Sequence, residues 1–481
     1  MDGAWCSSLS RDFHSTARVQ HGHEFSDGRM IVKSVINKVP ALLMVLAAFS
    51  FAAVHAQQSI GRSSRAHEKV LFTFPGGRKG GEPSAKLTFD SAGNLYGTTV
   101  EGGGKNTNCP FTWCGTAIEL TPTSNGKWKE TVLHDFTLGK DGAVPVSGLI
   151  VDHSGNVYGA TANGGRGRCL RGCGVVFELT KTNSGKWKET VLHSFTGGKD
   201  GGLPGAIFLD QAGNIYGAAE QGGNRKNCPN FGCGVVFELI PAGSGKWKET
   251  VIYTFSGGSD GANPASGLTS DGSGNLYGTT QQGGNQGDCQ GGCGVVFRLM
   301  PNAGGRWKQA VLHAFTGGKD GRYPFGTPVF DAAGNLYSTT EAGGNQGDCL
   351  FQGSGCGVVF ELTPTSKGPW KETVLHTFTG GKDGSVPGPD LSLDVAGNIY
   401  STAFSGGITN CFGGGYGCGV AFKLAQSPSG DWKETVLHTF TGGNDGGNPG
   451  SGLILDSKGN RYGSTSWGGA DGWGVVFELK P

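Results

Sequence analysis

WKETVLHSFTGGKDGGLPGAIFLDQAGNIYGAAEQGGNRKNCPNFGCGVVFEL, running from Trp187 to Leu239, is one unit of a repeat that fills the chain. Its VLHxF segment closes at Phe74, Phe136, Phe195, Phe255, Phe315, Phe378 and Phe440, in steps of 62, 59, 60, 60, 63 and 62 residues. A self-similar period of this length belongs to solenoids, propellers and arrays, whose units bury their apolar faces only against their neighbours. In the third unit Ala206–Asp210, Asn214–Ala218, Gly234–Leu239 and Trp247–Phe255 read as strands. Each is rich in β-branched or aromatic residues and bounded by Gly, Pro, Asn or Asp. Val235–Leu239 alternates in the manner of a half-buried strand. No stretch keeps a helical period of useful length.

The ends of the array choose between a ring and an open solenoid. The repeat enters on a fourth strand, Lys69–Phe74, and leaves on a third, Gly474–Leu479. A solenoid needs polar capping units, and none is visible. In a ring, the first strand completes the last blade and removes both open edges. The expectation is an all-β, seven-bladed propeller with four strands and about 60 residues per blade; a β-helix is the alternative.

The turns have their own chemistry. Asp210-Gln-Ala-Gly-Asn214 is a short hairpin connection in which the aspartate accepts backbone N–H bonds and glycine supplies a positive φ. The same frame starts at Asp90, Asp152, Asp271, Asp331, Asp394 and Asp456. The 91 glycines fall mostly at fixed repeat positions, without the every-third-residue period of collagen, and so mark turns. Charge is balanced, 39 basic against 38 acidic residues, which gives no general electrostatic reason to expect nucleic acid or an anionic membrane as partner.

Residues 30–56 read as a secretory signal. Lys33 and Lys38 precede the apolar run Val39–Val54, and Val54-His55-Ala56 offers a cleavage site before Gln57. Met30 sits where such a signal begins, so residues 1–29 are read as an over-extended start. The alternative is an uncleaved anchor, although the run is shorter than a bilayer-spanning helix. Residues 57–67 form a linker and 68–481 the propeller. The expected location is secreted, periplasmic or cell-surface.

The frame TVLHxFTGGxDGxxPxxxLxxDxxGNxYGTTxxGG…GCGVVFEL, followed over residues 68–481, resembles the Gloeo/Verruco (GloVer) tandem repeat of exported bacterial proteins. The resemblance implies export and a propeller-like repeat, and carries no assigned activity. Members often bear a C-terminal anchoring domain; here the sequence reaches Pro481 directly after a strand.

Twelve of the thirteen cysteines fall in pairs: Cys109/Cys114, Cys169/Cys173, Cys228/Cys233, Cys289/Cys293, Cys349/Cys356 and Cys411/Cys418. Zinc would demand more regular spacing, so with an export signal the pairs read as disulfides closing each loop. In the seventh unit Trp473 takes the place of the second cysteine. His134, His193, His313, His376 and His438 share a column with Phe72 and Tyr253, which argues for a packed ring and against a metal ligand or general base. The Asp-Gly turns supply Asp141, Asp200, Asp260, Asp320, Asp383 and Asp445, with Gly80 assigned to that place in the first unit. A ring of such carboxylates near a channel mouth could hold calcium, whereas Asp-Gly is also an ordinary turn pair and a neighbouring lysine opposes the cation.

The units differ most in the cysteine loops, which carry Phe111, Trp113, Phe231, Phe351, Phe412, Tyr416, Trp467 and Trp473. Arg166, Arg168, Arg171, Arg225 and Lys226 lie in the second and third units, against Asp288 and Asp348 in the fourth and fifth. Loops on a rigid scaffold concentrate binding residues. The regular column Trp128, Trp187, Trp247, Trp307, Trp370 and Trp432 reads as structural instead. No Cys/His/Asp constellation for nucleophilic catalysis can be assembled. The expectation is an exported, monomeric binding or scaffold module for carbohydrate or an extracellular protein. The alternatives are a lyase or hydrolase with a channel-mouth metal and a purely structural envelope protein.

Overall fold

The computed structural model describes residues 66–481 except 104–108, 110–113, 286, 288, 345–346, 348, 350–352, 367–368, 409–410 and 412–415. The expected signal and most of the linker lie outside this range. Seven antiparallel sheets follow one another as the blades of a propeller. In blade 3, Gly202–Leu209, Ile215–Gln221, Val235–Pro241 and Trp247–Thr254 pair in chain order from the inner to the outer strand. Blade 7 takes Ile454–Leu455, Arg461–Thr465 and Val475–Lys480 from the C-terminal end and His67–Thr73 from the other. That last strand runs from His67 opposite Lys480 to Thr73 opposite Val475, so the ring closes as expected.

One expectation is corrected. Val235, Val236, Phe237 and Leu239 are all fully buried, so the third strand is covered on both faces and not half-buried. Each sheet is sandwiched between two neighbours, and the core is a series of seams between blades. Phe136, Phe195, Phe255, Phe315, Phe378 and Phe440 each meet a phenylalanine of the next blade edge to face, with ring centres 5.0–5.3 Å apart. At the closing seam Phe74 packs in one cluster with Ile118.

Two recurring motifs are halves of the same seam. The residue before the inner-strand proline is Glu82, Val144, Leu203, Asn263, Tyr323, Val386 or Asn448, and every one has φ between 53° and 56°. This left-handed conformation is costly for bulky or β-branched residues. It aims each N–H backwards across the seam: Leu203 donates to the Cys173 carbonyl at 2.8 Å, and Val144, Asn263, Tyr323, Val386 and Asn448 do the same to Cys114, Cys233, Cys293, Cys356 and Cys418. Glu82 donates to Trp473 at 2.9 Å, at the closing seam. The next glycine abuts the following proline: a Cβ on Gly174 would lie 2.2 Å from the Thr161 carbonyl oxygen and 2.7 Å from Pro204, at φ +87°. Gly174→Ala is therefore expected to lose roughly 1–3 kcal/mol of stability in urea unfolding. An unchanged midpoint would contradict this seam geometry.

Candidate functional site

With strands alternating in direction, the cysteine loops and the Asp-Gly turns emerge at the same end of the ring. All six cysteine pairs are joined, with Cα–Cα distances of 4.9–5.6 Å. Gly197 of one Asp-Gly turn lies against the Sγ atoms of Cys169 and Cys173, and Gly257 lies likewise against Cys228 and Cys233. In blade 7 the Trp473 indole covers Gly76 and Gly81, so a packed ring stands where the other blades have a disulfide. Full reduction is expected to lower stability by at most about 2 kcal/mol per loop, because each closes so few residues. Thermal unfolding with and without reductant measures it.

The V-L-H segment is a bulge. In blade 2 the pairing to the third strand skips Leu192, between Val191 and His193, and a bulge re-aims the residue that follows it. His193 thereby both stacks edge to face on Phe195 at 4.6 Å and reaches Asp200 of the turn, with Nε2 at 3.5 Å from Oδ2. His134–Asp141, His313–Asp320, His376–Asp383 and His438–Asp445 repeat the pair at 3.2, 3.5, 3.5 and 3.0 Å. The packed-ring role is present, and the carboxylate pairing comes in addition. Asp200 also accepts from the Thr196 N–H at 2.8 Å and from the Thr196 hydroxyl. Burial pushes the aspartates up, but the paired histidine and the hydrogen bonds of the turn residue outweigh it, and Asp141, Asp200, Asp320, Asp383 and Asp445 sit below their ordinary range.

A third group completes each seam. Glu189, on the outer strand of blade 2, is half-buried, its Oε1 has no hydrogen-bond partner, and it faces His134 and Asp141 of blade 1. Burial pushes its carboxyl up to about 7, with His134 opposing and Asp141 adding to the rise. Glu434 reaches about 7 in the same way against His376 and Asp383. Glu249 and Glu372 are raised too, each by burial first. The exceptions are concerted. Where Tyr253 replaces histidine and donates to Asp260 at 3.0 Å, the facing residue is Gln309, which donates to the Asp260 carbonyl at 3.1 Å. Where Phe72 replaces histidine, Lys79 occupies the aspartate position and acts on Glu130. Gly80, expected there from the repeat, has a φ of 87° and packs on Thr99 as Gly142, which follows Asp141, packs on Thr161, so the equivalent of the aspartate is Lys79.

The six turn aspartates, considered as calcium ligands, are thus each bound within their own blade. Among the described residues no group of three or more His, Cys, Asp or Glu is placed to hold a metal ion. Of the aromatic candidates, Trp113, Phe351 and Phe412, together with Phe111, lie outside the described residues. Phe231 and Tyr416 are exposed, at 43% and 38%, whereas Trp467 and Trp473 are partly buried. The structure adds Leu170, 95% exposed, and Ile408 on the same loops. The Trp column sits at the opposite end, where Trp307, Trp370 and Trp432 pack near Tyr216, Tyr277 and Tyr337 of the preceding blade. Among the described residues no helix is long and apolar enough to cross a membrane.

The family model of the Gloeobacter/Verrucomicrobia repeat matches residues 62–228 and 170–413. The chain belongs to that family. No curated protein matches this Gloeobacter/Verrucomicrobia repeat protein. Among solved structures it is similar to a fungal alcohol oxidase of the AA5 family in complex with copper, at 14% identity and TM-score 0.50, covering 87% of this chain and 76% of that one. A putative glucose dehydrogenase from Thermus thermophilus aligns at 14% identity and TM-score 0.40, over 86% and 99% of the two chains. A putative gluconolactonase aligns at 12% identity and TM-score 0.37, over 87% and 92%. At these identities the first likeness supports the propeller fold of the repeat protein and nothing of its chemistry.

Proposed function

We propose that this protein is an exported binding module that holds a carbohydrate or protein ligand on its disulfide-loop face. One observation carries the reading. Of the six large apolar side chains exposed among the described residues, four (Leu170, Phe231, Ile408 and Tyr416) belong to cysteine loops. Apolar groups exposed on tied loops of a rigid scaffold mark interaction surfaces, and aromatic rings suit stacking on sugars or docking a protein. Six disulfides suit an oxidising compartment, which favours export. The partly buried histidine–aspartate pairs recur in five blades, a symmetry better suited to a scaffold than to one catalytic centre. The test is binding of the oxidised chain to a glycan and extracellular-protein panel, beside a reduced and alkylated sample. Binding that disappears on reduction supports the reading; ligands held equally by both samples would place the site elsewhere.

A further inference from the structure

We propose that blades 2 and 3 carry, on their adjoining disulfide loops, a docking patch for an acidic polysaccharide bearing carboxylate or sulfate groups. The inference rests on the loop-face reading and narrows it to one sector and one ligand charge. The loop from Gly164 to Cys173 carries Arg166, Arg168 and Arg171, the loop from Gly222 to Cys233 carries Arg225 and Lys226, and neither contains Asp or Glu. The whole chain is nearly neutral, at +1, so this concentration is local.

The structure puts the two loops side by side. Arg225 donates from Nη2 to the Gly197 carbonyl at 3.1 Å, and Gly197 itself rests on the Cys169–Cys173 disulfide. Arg225 is therefore the tether between loops, while Arg166, Arg168 and Lys226 remain exposed. No ion pair of the described residues involves any of these five cations. The acids of the intervening turns, Asp141 and Asp200, are already engaged by His134 with Thr137 and by His193 with Thr196.

Each loop is also preorganised. Beyond its disulfide, Gly164 N–H donates to the Arg171 carbonyl and Gly222 N–H to the Phe231 carbonyl, both at 2.7 Å. Little ordering is left for a ligand to impose. Guanidinium groups present a planar fork that matches carboxylate and sulfate oxygens. Leu170 and Phe231 stand exposed among the cations and offer apolar surface to the C–H faces of sugar rings. An anionic membrane would need a broader apolar wedge than these two side chains supply. A glycan with a charge on successive residues matches cations spread over two blades.

The test is binding of the disulfide-intact chain to immobilised polygalacturonate and dextran sulfate, with neutral dextran, poly-glutamate and phosphatidylglycerol vesicles as comparators. The expected result is binding to an acidic glycan but not to dextran, weakening as salt is raised. The variant R166Q/R168Q/R171Q/K226Q should lose roughly tenfold or more with an unchanged melting temperature. Phe231→Ala should lose about threefold with an unchanged salt dependence. Three results would overturn the proposal: neither acidic glycan binds, the fourfold variant binds like the parent, or poly-glutamate or the vesicles are held as tightly as the glycans. If only this patch fails while a neutral or protein ligand remains sensitive to Phe231 and Tyr416, the loop-face reading survives.

Discussion

Phe195→Ala is expected to destabilise the ring by about 3–5 kcal/mol, among the largest effects of any single substitution. Phe195 is fully buried and lies edge to face with Phe237 of the next blade at 5.0 Å. Deleting the ring forfeits its burial and leaves a cavity between two sheets that other seams hold in place and cannot easily collapse. The same change at Phe74 strikes the closing seam, where His67–Thr73 completes blade 7. Loss there should open the ring at its only non-covalent blade and abolish cooperative unfolding as well as lower the midpoint. Denaturant unfolding followed by fluorescence and by circular dichroism separates the two outcomes. A cost under about 1 kcal/mol at Phe195 would mean that the seams are not the core.

The second large effect is a dependence of stability on pH. The outer-strand glutamates have folded pKa values above their ordinary 4.5, about 7 for Glu189 and Glu434. A raised carboxyl favours the protonated folded state, so this contribution is complete below about 4.5 and is lost as pH rises through about 7. The turn aspartates have the opposite sign. Their depressed values add stability above the ordinary 3.8, which is lost as pH falls through their folded values. The protein should therefore be most stable in mildly acid solution and melt progressively earlier toward pH 8. Gln309 shows what a permanently neutral side chain does in the same place, donating a hydrogen bond across the seam at 3.1 Å. The variant E189Q/E249Q/E372Q/E434Q should accordingly melt higher than the parent at pH 8 and decline less steeply between pH 5 and 8, the remaining decline coming from Glu82, Glu130, Glu220 and Glu341, which burial also raises. Calorimetric melting over that range decides it; parallel curves for parent and variant would show that the glutamates ionise freely.

Much of this architecture was legible because it is local or periodic. The strands, the Asp-x-x-Gly-Asn turns, the cysteine pairs and the split last blade all follow from residues adjacent in one unit. What escaped was made between units. Val144 and Val386 are poor left-handed residues, and nothing within their own unit requires that conformation; the demand comes from the cysteine carbonyl of the preceding blade. Val235–Leu239 looked half-buried because its second covering face belongs to another unit. The His–Asp–Glu contacts likewise join two repeats, yet two signals were present: the constant seven-residue step from His193 to Asp200, and the joint change to Tyr253 and Gln309. Trp473 visibly stands in the place of a cysteine within its unit, but its packing role at the ring closure depends on Gly76 and Gly81 from the other end of the chain.

The central claim, that ligand is held on the disulfide-loop end, is tested most directly by comparing two double variants against the tightest ligand of the panel. F231A/Y416A removes exposed rings from the loop face, and I240S/V395S removes the two exposed apolar groups at the opposite end. The account predicts that the first loses at least about tenfold in affinity and the second is unchanged. Loss confined to the second would contradict it.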